Sequence, residues 1–166
     1  MKKIICLIFI FFAIQINAFT QELKGGVTFD VNSAREYLQE GQINTLDISG
    51  PFDFNPNDNF KKIVYTKDNY GGIIGVTVQY KNDINKAYIY GRDLKLKYVD
   101  NYDRNIDIYP HRGYRYDLNG DLILTSLSVS KSEHYRFSPQ GKLIAHSING
   151  IVYDENGKII GFAKGE

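Results

Sequence analysis

The chain has 166 residues and a formal charge of +1, with 43% hydrophobic and 14% aromatic side chains, one cysteine and no tryptophan. That length suits one domain, and the near-neutral balance excludes a general nucleic-acid binder, which needs surplus Lys and Arg to displace counterions from phosphates. The composition also lies outside the disordered, collagen-like and disulfide-dense classes.

Lys2 and Lys3 precede an unbroken apolar run from Ile4 to Ile14, and the chain then turns polar around the small residue Ala18. This order predicts a secretory signal peptide over residues 1–18, with cleavage after Ala18 or Thr20. At about 1.5 Å per residue the run covers roughly half of a ~30 Å hydrocarbon core, too little for an anchor. No membrane span is expected after its removal. Cleavage converts 20 basic and 19 acidic residues into 18 and 19, a charge of −1, and removes Cys6. Cys6 sits inside the apolar run and not after it, so it is misplaced for lipidation. The mature chain therefore enters a disulfide-permissive compartment without a thiol.

Residues 19–60 read as a helix and strand segment with a loop, forming one domain with residues 61–166. Ser33-Ala34-Arg35-Glu36 has the form of a capping box and Gly41 that of a left-handed C-terminal cap, which predicts a helix from Ala34 to Glu40. Val27-Phe29-Val31 and Leu46-Ile48 alternate with polar residues and predict strands. Gly50 to Asn59 is rich in turn residues and reads as a loop.

From residue 61 to 166 the pattern is almost wholly β. Strands are expected at 61–66, 73–80, 87–90, 94–99, 106–109, 114–117, 122–129, 143–148 and 159–163. Asn119-Gly120, Asn149-Gly150 and Asn156-Gly157 intervene. Asn-Gly is the strongest short hairpin signal, because both central residues of a type I′ turn need positive φ. The expected fold is all-β: an antiparallel meander of sequential hairpins, in one twisted sheet or an open barrel, with one short N-terminal helix.

The hairpins share a repeat. Segments starting at Tyr114, Tyr135 and Ile151 align with an aromatic third, Asp or Ser fourth, Gly seventh and two aliphatics last, and a weaker copy runs from Tyr65 to Ile74. Each unit reads as a strand, an Asx-assisted turn and a return strand whose aliphatic pair reaches the sheet. Through Tyr116-Asp117-Leu118-Asn119-Gly120 and Tyr153-Asp154-Glu155-Asn156-Gly157, residues 114–160 resemble bacterial YD-repeat and related tyrosine-rich hairpin repeats of exported proteins. The resemblance implies extracytoplasmic β-structure used as scaffold or interaction surface, and it carries over no catalytic residue.

Asp53, Asn55, Asn57 and Asp58 have the oxygen-rich look of a calcium loop, but Asp58 and Val64 stand where an EF-hand wants glycine and glutamate. A plain Asx-rich turn is expected there. His111, His134 and His146 have no i, i+4 or H-x-H spacing and read as strand-end residues with no metal site. Asp68, Asp117 and Asp154 recur before glycine turns, which explains them as acceptors for the turn backbone better than as a glycosidase acid pair.

The most suggestive surface runs from Tyr102 to Tyr116. It offers Arg104, Tyr109, Arg112, Tyr114, Arg115 and Tyr116, side chains that supply contact area, hydrogen bonds and cation–π contacts. In a strand, Arg112, Tyr114 and Tyr116 share one face and Arg115 takes the other. The competing reading is that these tyrosines pack the sheet. The expected function is an exported, non-catalytic binding protein of the bacterial periplasm or exterior, with no catalytic residues and no cofactor. Its expected partner is a protein or other envelope component. The rival readings are a small envelope glycan hydrolase and a structural surface protein.

Overall fold

The structure, a computed structural model, describes residues 29–68 and 70–162. The expected signal peptide lies outside the described residues.

One α-helix, α1 (Val31–Glu40), precedes ten strands. These are β1 (Phe60–Lys67), β2 (Ile73–Tyr80), β3 (Asp83–Gly91), β4 (Leu96–Tyr102), β5 (His111–Tyr116), β6 (Leu122–Ser130), β7 (Glu133–Phe137), β8 (Leu143–Ile148), β9 (Ile151–Tyr153) and β10 (Ile159–Phe162). Every strand pairs antiparallel with its sequence neighbour, in the order β1 to β10, and β1 and β10 remain the two edges. The sheet is thus an open meander, as the hairpin pattern predicts.

The meander sorts its turns. Those leading from odd to even strands fall at one end of the sheet, and those leading from even to odd strands at the other. At the first end, the turns opening at Asp68, Gly91, Asp117, Ser138 and Asp154 share one geometry. The first residue accepts from the fourth residue's N–H and donates its own N–H to the fifth residue's carbonyl. The fourth residue has positive φ: Gly71 83°, Leu94 58°, Gly120 84°, Gly141 80° and Gly157 75°. The Asp117 Oδ1 accepts from Asn119 N at 2.8 Å and Asp121 N at 3.1 Å, and Asp68 and Asp154 repeat this arrangement. The turn aspartates therefore act on the backbone, as expected.

Each of these turns is followed by an extra residue in the returning strand: Ile74, Lys97, Ile123, Ile144 and Ile160. Such bulges strengthen the right-handed twist. They also correct the expectation that both aliphatics of a repeat reach the sheet. Leu122 and Leu143 are buried, whereas Ile123 and Ile144 sit at bulges and stay exposed.

The core lies on one face. Val76, Val78, Tyr88, Tyr90, Leu96 and Val99 form one cluster, and Tyr114, Tyr116, Leu122, Leu127, Tyr135, Phe137 and Leu143 form another beneath Ala34 and Leu38 of α1. Ile48 packs against both. Full burial of each large side chain contributes about 1.5–3 kcal/mol. Four tyrosine hydroxyls then staple the N-terminal segment to the sheet. Tyr135 donates to the Phe29 carbonyl at 3.0 Å, Tyr114 to Leu38 at 2.9 Å, Tyr116 to Ile43 at 2.8 Å and Tyr90 to Pro51 at 2.9 Å. The phenol supplies both apolar bulk and a donor for carbonyls that burial would otherwise strand.

Several local expectations change. The helix begins at Val31 because Asp30 is its N-cap: Asp30 accepts from Ser33 N, and the Ser33 side chain reaches back to Asp30 N. Ser33 is thus the third helical residue and not the cap. Gly41 closes the helix at φ −106°, outside the left-handed region. Val31 is helical, and Leu46 to Ile48 runs irregularly along the sheet, joined to it through the isolated Thr45–Asp121 bridge. Residues 106–109 form no strand; Ile108 N turns back onto the Asn105 carbonyl. Of the Asn-Gly pairs, Asn149-Gly150 alone has positive φ at both residues, 50° and 81°.

Candidate functional site

Alternation along β4 to β8 gives the sheet a second face that α1 does not cover. Three cross-strand rows occupy it. Asp100, Arg115 and Leu124 form the first; Tyr102, Gly113, Ser126 and Arg136 the second; His111, Ser128 and His134 the third. Together with Ile106 and Tyr109 they line a depression of about 330 Å³.

Its wall is the loop between β4 and β5. Asp103 Oδ1 accepts from Arg112 N at 2.9 Å, and Lys61 reaches Asn105 Oδ1 at 3.2 Å and Asp107 Oδ2 at 3.0 Å. The Tyr109 ring lies 5.2 Å from that of His111, so the loop leans over the rows. Gly113 makes room on the floor: a Cβ there would meet Ser126 Oγ at 2.6 Å and the Tyr102 ring at 3.0 Å.

The charges are arranged unevenly. Arg115 donates from Nε to Asp100 Oδ1 at 2.7 Å and from an Nη to Oδ2 at 2.9 Å, a two-pronged pair that holds the guanidinium still. Among the described residues Asp100 is the one carboxylate lining the depression, and this pair engages it. Arg136 is exposed, and its guanidinium makes no hydrogen bond or ion pair with the described residues. Burial pushes the Tyr102 phenol well above its ordinary pKa, reinforced by Asp100.

Both imidazoles are held neutral. Burial lowers the pKa of His111 and of His134, although the carbonyls of Ile108 and Lys131 oppose it. A carbonyl only accepts, so His111 Nδ1 donates to Ile108 O at 3.2 Å and His134 Nε2 donates to Lys131 O at 3.2 Å. His134 Nδ1 then accepts from the Ser128 hydroxyl at 3.0 Å. His146 lies on the opposite face, stacked on Tyr135 at 3.9 Å and 3.1 Å from Glu133 Oε1.

The expected surface from Tyr102 to Tyr116 is therefore divided between two faces. Tyr114 and Tyr116 are 4% and 0% exposed, with their hydroxyls bonded to the Leu38 and Ile43 carbonyls, so both side chains are buried in the core and not on the surface. Arg112 lies on the same side, 3.8 Å above the Tyr37 ring and 3.5 Å from Glu40. Arg115 and Tyr109 line the depression, and Arg104 stands on the loop, 3.5 Å from Asp103. Asp100, Ser126, Ser128, His134 and Arg136 join them through strand pairing. Arg136 was detectable: it occupies the second position of the repeat, as Arg115 does, and period-two alternation sends both to one face.

In the Gly50 to Asn59 loop, Asn55 Nδ2 donates to Asp58 Oδ1 at 2.9 Å and Asn55 Oδ1 accepts from Asn57 N at 3.1 Å, an Asx turn. Asp53 pairs with Lys95. No group of three potential metal ligands gathers among the described residues.

Comparison with protein-family models, with curated proteins and with solved structures finds no match to the chain.

Chemically, the depression offers a fixed guanidinium, an unpaired guanidinium, hydroxyls and neutral imidazoles. Glycoside hydrolysis uses two carboxyl groups about 5–10 Å apart, whereas Asp117 and Asp154 lie at turn tips bonded to their own backbone.

Proposed function

We propose that the protein is an exported, non-catalytic binding protein of the bacterial envelope that takes a protein or other envelope partner on the helix-free face of its sheet. One observation carries this reading. The sheet spends one face on its core and on α1, while the other face keeps a polar depression walled by the 103–110 loop. Export is supported by the basic, apolar and small-residue order of residues 1–18. The tyrosine-rich hairpin repeat supports a scaffold role.

The test is affinity capture from an envelope extract with three proteins: wild type, Ser126→Trp, which fills the depression, and Glu36→Ala, on the exposed side of α1. Wild type and Glu36→Ala should retain the same partner and Ser126→Trp should lose it. Circular dichroism and the melting temperature establish that each variant is folded. Absence of any partner, or equal capture by all three, contradicts the reading.

A further inference from the structure

The helix-free depression holds more positive charge than it neutralises. Asp100 offsets Arg115, His111 and His134 are neutral, and Arg136 is left as a net single cation. Arg115 cannot swing away, because the carboxylate grips two of its nitrogens. Arg115, Arg136 and the Tyr102 phenol all line this one depression. Arg115 is held toward Asp100 of β4 while Arg136 stands on β7, two strand spacings or about 10 Å from β5, so the two arginines bound the depression from opposite sides.

Building on the reading that this face is the binding face, we propose that the depression recognises a single carboxylate group of its ligand, anchored by Arg136 and flanked by Arg115. A planar guanidinium matches a planar carboxylate with two parallel hydrogen bonds. A phosphate monoester carries nearly twice the charge, and the depression has one unpaired cation to compensate it. The cavity, about 330 Å³, lies at the small end of ligand sites and fits one acidic residue or one acidic sugar. The Ser126 and Tyr102 hydroxyls line the same space and can bond the rest of that group.

A carboxylate of this kind comes from the acidic side chain of a peptide or from a uronic acid. Calorimetric titration of the purified protein with a blocked Gly-Glu-Gly peptide and with methyl glucuronide separates the sources. Blocked Gly-Gln-Gly and methyl glucoside serve as the neutral counterparts. At least one acid should bind saturably, its neutral counterpart at least about tenfold more weakly, since a charged hydrogen-bonded pair contributes on that order. Arg136→Gln should weaken the acid at least about tenfold with an unchanged melting temperature, and Arg136→Lys should restore part of it.

Saturation by neither acid, equal binding of the neutral counterpart, or an unaffected Arg136→Gln protein overturns the proposal. If Arg136→Gln still captures a partner that Ser126→Trp loses, the carboxylate site falls and the binding face stands. If neither variant matters, both fall.

Discussion

Asp100 and Arg115 face each other directly across β4 and β5, and the Arg115 guanidinium donates two hydrogen bonds to the Asp100 carboxylate, at 2.7 and 2.9 Å. The pair sets the floor of the depression and fixes one of its two cations. Asp100→Ala leaves a half-buried guanidinium without its acceptor and should cost about 1–3 kcal/mol in urea unfolding. Replacing both residues, Asp100→Leu with Arg115→Met, should cost less than the single change, because no orphaned charge remains. A double variant weaker than Asp100→Ala would contradict this.

The tyrosine staples predict a second result. Tyr114→Phe and Tyr116→Phe each keep the ring and remove one hydroxyl from a main-chain carbonyl, so each should lose about 0.5–1.5 kcal/mol. Tyr116→Ala should lose about 3–5 kcal/mol by opening a cavity under α1. Neither Phe variant should alter partner capture. A loss of capture with normal stability would return these tyrosines to the binding surface.

Two glycines in equivalent turns predict different penalties. Gly157 has φ +75° and nothing within 4 Å of a Cβ, so Gly157→Ala should cost only the left-handed backbone term, about 1–2 kcal/mol. Gly120 has φ +84°, and its Cβ would collide with the Leu46 carbonyl oxygen. The same approach makes the 2.8 Å bond from Leu46 N to Gly120 O. Gly120→Ala must displace that segment and should destabilise clearly more than Gly157→Ala in parallel denaturant titrations. Equal losses would contradict the close approach.

His111 and His134 predict a pH dependence. Burial lowers both folded-state pKa values below the ordinary histidine value of 6.5, so the unfolded chain binds protons first as pH falls. Their contribution to stability is fully present above the unfolded value and is lost as pH drops from there through the lower folded values. The melting temperature should fall on acidification below about pH 6.5, and His111→Gln with His134→Gln should flatten that fall. A pH profile unchanged by the double substitution would contradict it.

The hairpins were legible because their turns are written locally. Asp117 before Gly120 and Asp154 before Gly157 announce both the positive φ and the side-chain acceptor. The turn at Gly91 falls between the expected strands 87–90 and 94–99, but Leu94 at φ 58° stands where the repeat elsewhere has glycine, so its positive φ has no local signal. Residues 106–109 alternate like a strand, yet Lys61 and Asp103 hold their loop from outside the window. The faces were also legible in part. Alternation separated Arg115 from Arg112 and Tyr114, but which face α1 covers depends on contacts such as Tyr114 to Leu38, far apart in the chain. The depression brings residues from β4 to β7 together, and only strand register shows that Asp100, Ser126 and His134 join Arg115 there.

If partners meet the helix-free face, the two sides of the sheet differ in what they touch in the cell. Tyr109, at the rim of the depression, and Glu36, on α1, stand on opposite sides of the sheet, and both are exposed. A photo-crosslinking phenylalanine derivative placed at each position, with irradiation in intact cells, reads that difference directly. Position 109 should give one discrete adduct and position 36 none. An adduct from position 36 alone, or equal adducts from both, would contradict it.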